Sequence, residues 1–77
     1  METIYSKALD AYLRRTRITQ MAFALLAGSS QTGVCQYANG QRFPSKRVAR
    51  NIDIATEGAV PYALWQAAAV ERLGIYD

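Results

Sequence analysis

Four consecutive residues, Ala27-Gly28-Ser29-Ser30, constrain this chain more than any other stretch. Glycine enters the left-handed conformation at a helix C-terminus without a Cβ penalty, so Gly28 ends the helix before it. Serine at a helix start accepts a hydrogen bond from a free backbone N–H one turn along, so Ser30 begins the next helix at Gln31. A stop and a start this close leave room only for a tight turn. Both helices also have an inner side to bury: Phe23, Ala24 and Ala27 before the turn, Val34, Tyr37 and Ala38 after it. Gln31, Thr32 and Gln36 are left facing outward. Thr19 is the natural cap of the first helix, and Asn39-Gly40 is the strongest stop signal in the chain, so the unit runs from Gln20 to Asn39.

Ala24 falls where the two helices cross, and its small side chain permits close approach. Met21, Leu25 and Leu26 make the first helix apolar nearly all round, as expected of one wedged between neighbours. Gly33 lies in the first turn of the second, where a missing side chain would let the backbone approach a ligand closely.

The flanking sequence supplies three more helices. From about Thr3 to Thr16, Tyr5, Ala8, Leu9, Tyr12 and Leu13 recur at helical intervals and should pack on the central pair. Gln41-Arg42-Phe43-Pro44 is a short connection. Ser45 then caps a fourth helix, KRVARNIDIATE, with Val48, Ile52 and Ala55 on one face and Gly58 as its stop. Pro61 starts a last helix, YALWQAAAVERL, proline being tolerated in the first turn. No strand-like alternation is long enough to build a sheet. At 77 residues the chain holds one small domain. The expected fold is all-α: a single domain over residues 1–77, a compact bundle of about five helices. Leu64, Trp65, Val70 and Leu73 give the last stretch more apolar surface than one packed side needs. Residues 61–77 are therefore a candidate dimerisation helix, with Trp65 serving either as its core anchor or at the interface.

Several function classes are disfavoured. No apolar run approaches the roughly 20 residues of a membrane span, and the N-terminus lacks the basic-then-apolar order of a secretory signal, so the cytoplasm is expected. The single cysteine, Cys35, cannot form an intrachain disulfide or a multi-cysteine metal site. Histidine is absent, which removes the usual zinc ligand and the usual acid-base catalyst near neutral pH. Cys35 thus has no histidine to activate it, and Asp53 and Glu57, four apart, have the spacing of ordinary surface acids. No metal, cofactor or enzymatic activity is expected.

Charge is more informative. The net charge is +3, yet Arg14, Arg15, Arg17, Arg42, Lys46, Arg47 and Arg50 lie between Ala11 and Ile52 with no acid among them. The acids are all near the ends. Such asymmetry is the footprint expected of a polyanion-binding face, although a basic run by itself is more often just a solvated surface. Two helices joined by a tight turn, with a polar outer side on the second, form the pattern of a helix-turn-helix, which presents its second helix to the DNA major groove. Glutamine suits base reading because its amide donates and accepts at once, matching adenine N6 and N7. Gln31 and Gln36 are the leading base readers. Thr32 is a third, able to hydrogen-bond and to offer a methyl to thymine. With no lysine or arginine between Ile18 and Gln41, affinity falls to the flanking cations: Arg17, Arg42, Lys46 and Arg47 are placed to reach phosphates.

These residues resemble the phage Cro and lambda-type repressor group. Gln20, Ala24, Gly28, Gln31, Gly33, Val34, Tyr37, Asn39 and Gly40 fall where that motif carries glutamine, alanine, the turn glycine, the reader glutamine, glycine-valine, an apolar anchor and the closing asparagine-glycine. FPSKRVARNIDIATEGAVPYALW is also similar to the tail of Cro-like, YdaS-type prophage regulators. Together the matches span about Thr19 to Trp65. The resemblance implies a transcriptional repressor that binds a palindromic operator as a homodimer in the bacterial cytoplasm or nucleoid, and it adds Gln20 and Asn39 as DNA-backbone contacts. Two departures stand out: Ser29 replaces an apolar turn residue, and the tail after Ala63 differs from the family's ending. The alternative is an antitoxin or helical protein-interaction module whose main partner is another protein, bound through Trp65, Val70 and Leu73.

Overall fold

A computed structural model describes residues 3–73, and the side chains of residues 3–70. Five helices follow one another: α1 (Ile4–Thr16), α2 (Gln20–Ala27), α3 (Gln31–Asn39), α4 (Lys46–Ala55) and α5 (Tyr62–Leu73). There is no strand among the described residues, so the fold is a small all-α bundle. Its radius of gyration is 11.0 Å, against about 11.5 Å expected of a well-packed chain of this length.

Local chemistry sets each boundary. Thr3 and Ser6 form a reciprocal cap at the start of α1, the Ser6 N–H donating to Thr3 Oγ1 at 3.0 Å and the Thr3 N–H to Ser6 Oγ at 2.8 Å. Thr19 Oγ1 accepts from the Ala22 N–H, and Ser30 Oγ from the Gly33 N–H. Gly28 and Gly40 close α2 and α3 in the left-handed region, at φ 69° and 82°. α4 ends two residues before the expected Glu57. Thr56 caps it, turning its hydroxyl back onto the Ile52 carbonyl at 2.8 Å while accepting from the Val60 N–H at 3.1 Å. Glu57 is thereby held at φ 54°.

α2 packs on α3 and α4, α1 on α3 and α5, and α4 also on α5. Tyr5, Leu9, Phe23, Ala27, Val34, Ile52, Val60 and Ala68 are buried where these helices meet. Phe43, in the α3–α4 connection, stacks on Trp65 at 5.5 Å and leans on Tyr5 at 5.8 Å; Tyr62 stacks on the other side of Trp65 at 5.2 Å.

One expectation is corrected. α2 is not enclosed all round: Phe23, Ala24 and Ala27 are buried, but Met21, Leu25 and Leu26 are exposed, Leu25 at 81%. α3 and α4 cover most of the inner face of α2 and Tyr12 of α1 reaches Phe23, the ring centroids 6.0 Å apart, so the covered side is the one that carries Phe23, Ala24 and Ala27. Trp65 takes the first of its two expected places, as the core anchor of the last helix. It is 5% exposed, and its indole N–H donates to the Pro44 carbonyl at 2.9 Å, which locks the last helix to the α3–α4 connection. Leu64 packs partly against the same core, and Val70 is half-buried. The Leu73 side chain and residues 74–77 of the candidate dimerisation helix lie outside the described residues.

Candidate nucleic-acid interface

The turn between α2 and α3 fixes the site. The Ser29 N–H donates to the Ala24 carbonyl at 2.9 Å, a six-to-one closure that reverses the chain directly behind Gly28. From α4, Asn51 Nδ2 donates to the free Ala27 carbonyl at 3.1 Å. This tie joins residues 24 apart and satisfies one of the orphan acceptors at the end of α2.

Ser29 has a specific polar partner, lying 3.2 Å from the Tyr37 hydroxyl. Tyr37 is buried, so its phenol needs such a partner, and a serine in the turn provides it where an apolar residue could not. The same contact revises the reading of Gly33. That residue is buried, and a Cβ on it would stand 2.7 Å from Ser29 Oγ and 3.3 Å from the Tyr37 hydroxyl. Its missing side chain makes room for the serine–tyrosine pair, not for a ligand.

On the outer side, Gln20, Gln31, Thr32, Cys35, Gln36 and Gln41 line one depression of about 350 Å³. The three expected base readers therefore share a surface, and Gln20 at the start of α2 joins them. None of the lining side chains is charged. What they offer is amide and hydroxyl groups that donate and accept, beside a free, exposed Cys35 thiol.

The cations fall in the bordering segments. Arg17 is exposed in the left-handed cap of α1, three residues before Gln20; Arg42 is exposed directly after Gln41; Lys46 and Arg47 are exposed in the first turn of α4. Arg47 leans toward the α2–α3 turn, its Nη1 3.9 Å from where a Cβ on Gly28 would stand. Arg14, Arg15 and Arg50 are exposed as well, and each has a partner within the chain. Arg14 pairs with Asp10 at 2.8 Å. Arg15 and Arg50 lie over the Tyr12 and Tyr62 rings at 5.4 and 5.0 Å.

Asn39, a backbone-contact residue by resemblance, is exposed with its amide turned onto Gln41, accepting from the Gln41 N–H at 2.9 Å and donating to Gln41 Oε1 at 3.2 Å. Gln41 itself escaped the sequence reading because it follows the Asn-Gly stop and looks like connection. Asn51 escaped because its partner is distant in sequence. No helix among the described residues is long and apolar enough to cross a membrane.

Compared with protein-family models, with curated proteins and with solved structures, the chain matches none, so the reading of this surface rests on its own geometry.

Proposed function

We propose that this protein is a sequence-specific double-stranded DNA-binding transcriptional regulator, a Cro-like repressor that acts in the bacterial cytoplasm as a homodimer on a palindromic operator. One observation carries the reading: Gln20, Gln31, Thr32 and Gln36 line a single uncharged depression beyond a tight turn, with exposed Arg17 and Arg42 in the segments beside it. Uncharged hydrogen-bonding side chains on a helix face suit base edges, and cations at the margin suit phosphates. Gln31 and Gln36 favour adenine, and Thr32 adds a methyl for thymine. The work asked of these residues is binding and not catalysis.

The test is selection of bound duplexes from a random DNA pool. A palindrome with half-sites about 34 Å apart, rich in A·T pairs, is the expected result. Recovery of sequences with no shared motif at moderate salt would refute the reading.

A second reading, a helical interaction module such as an antitoxin, draws support from exposed apolar side chains. Its surface would be α2 with Met21, Leu25 and Leu26, since Trp65 is committed to the core. Sedimentation with and without DNA separates the two.

A further inference from the structure

We propose that Gln41 is an additional specificity-determining residue, donating its side-chain amide to an acceptor on a base edge, and that Asn39 is the residue that positions it. The inference rests on the DNA-binding reading and extends it beyond the recognition helix.

Three observations converge on Gln41. Its side chain lines the same depression as Gln31 and Gln36, although it lies after the end of α3. Its backbone is latched to that helix: the N–H groups of Gln41 and Arg42 reach the Gln36 carbonyl, at 3.0 and 3.3 Å. Its side chain is held as well, because Asn39 Nδ2 donates to Gln41 Oε1 at 3.2 Å while Asn39 Oδ1 fixes the Gln41 N–H at 2.9 Å.

The hydrogen-bond inventory decides what Gln41 does. Asn39 occupies one lone pair of the Gln41 amide oxygen and holds that oxygen to itself, whereas both N–H donors of the NH₂ group stay uncommitted among the described residues, so Gln41 presents chiefly a donor. On the major-groove edge the matching acceptors are guanine O6 and N7 and thymine O4. Phosphate oxygens accept too, but the adjacent Arg42 has the charge for that contact, whereas Gln41 shares its surface with uncharged readers. Fixing the side chain beforehand reduces the entropy lost on binding, so one hydrogen bond here discriminates more than it would from a free glutamine. In this arrangement Asn39 acts through Gln41 and makes no phosphate contact of its own.

The experiment compares duplexes selected from a random pool by the full-length protein and by its Gln41→Ala, Gln41→Glu, Asn39→Ala and doubly substituted Asn39→Ala/Gln41→Ala variants. Wild type should show guanine or thymine at one position of each half-site that Gln41→Ala relaxes by about 5-fold, the other positions staying fixed. Asn39→Ala should relax the same position, and the double variant should lose no more than Gln41→Ala, since a positioning residue has nothing left to position. Gln41→Glu, which only accepts, should move that position toward cytosine and its N4 donor. Equal weakening by Gln41→Ala on selected and random DNA would mark a phosphate contact and overturn the inference. Additive losses in the double variant would overturn the role of Asn39. Failure of the wild-type protein to select any motif would remove the DNA reading itself, and that outcome is visible before any variant is compared.

Discussion

Tyr5 is almost wholly buried, and its hydroxyl has no hydrogen-bond partner. Burial pushes the phenol well above its ordinary pKa of 10.0, with the nearby Asp53 and Tyr37 adding to the shift. Since the folded chain keeps its proton and the unfolded chain gives it up near pH 10, stability present below that pH drains away above it, by up to about 1.4 kcal/mol per pH unit. Tyr5→Phe should therefore hold or raise stability at pH 7, by up to ~1 kcal/mol, and flatten the alkaline decline. Thermal melts of both proteins from pH 7 to 11.5 check this, and parallel curves would contradict it. Gly33 makes a second case at this scale. Alanine in a helix gains about 1 kcal/mol of propensity over glycine, but here its Cβ meets Ser29 Oγ at 2.7 Å and displaces the Tyr37 contact. We expect Gly33→Ala to lose ~1 kcal/mol in the wild type and to lose less, or gain, in a Ser29→Ala background, as measured by urea denaturation. From sequence Ser29 and Gly33 each had a local meaning; their shared meaning comes from Tyr37, one turn beyond Gly33 on α3, whose hydroxyl reaches back along the helix to Ser29.

At the scale of the helix, most caps were legible from neighbouring residues, although Thr56, whose hydroxyl turns back onto the Ile52 carbonyl, ends α4 ahead of the expected stop. Thr19, Gly28, Ser30, Gly40 and Ser45 all act as their chemistry dictates. What could not be read were the contacts that cross between elements. Asp53 and Glu57 share the i,i+4 spacing of surface acids, yet they are not equivalent. Asp53 Oδ2 accepts from the Tyr62 N–H at 2.9 Å, capping the first residue of α5 and placing a carboxylate at the positive end of its dipole. Glu57 stays exposed in the loop. Asp53→Ala should cost about 1 kcal/mol and loosen α5, whereas Glu57→Ala should stay within ~0.5 kcal/mol. Hydrogen exchange localised to the α5 amides distinguishes that loss from a general one. The error over α2 has a similar origin. Periodicity shows that a helix is apolar, but which of its sides is covered depends on topology, and this bundle leaves the side with Met21, Leu25 and Leu26 exposed.

Taken over the whole molecule, the basic middle of the sequence divides into two populations. The candidate site was legible as far as its uncharged readers and their flanking cations, because both are written in consecutive residues. That Arg15 and Arg50 lie over aromatic rings could be seen only once Tyr12 and Tyr62 had found their places. Arg42 is exposed beside Gln41, while Arg50, also exposed, lies over the Tyr62 ring of α5 at 5.0 Å. If cations neutralise phosphates locally, the two should behave differently under salt. Removing one cation from a phosphate reduces the steepness of log K against log salt by about 0.9. Arg42→Ala should reduce it by that amount on operator and random DNA alike, with no change in melting temperature. Arg50→Ala should leave the slope near its wild-type value and instead lose about 0.5–1 kcal/mol of stability with its cation–π interaction. Titrations between 50 and 200 mM salt, paired with melts, measure both quantities. Equal slope changes for the two would mean that the positive charge acts as a diffuse field over the whole domain, and that the division between readers and phosphate clamps does not hold.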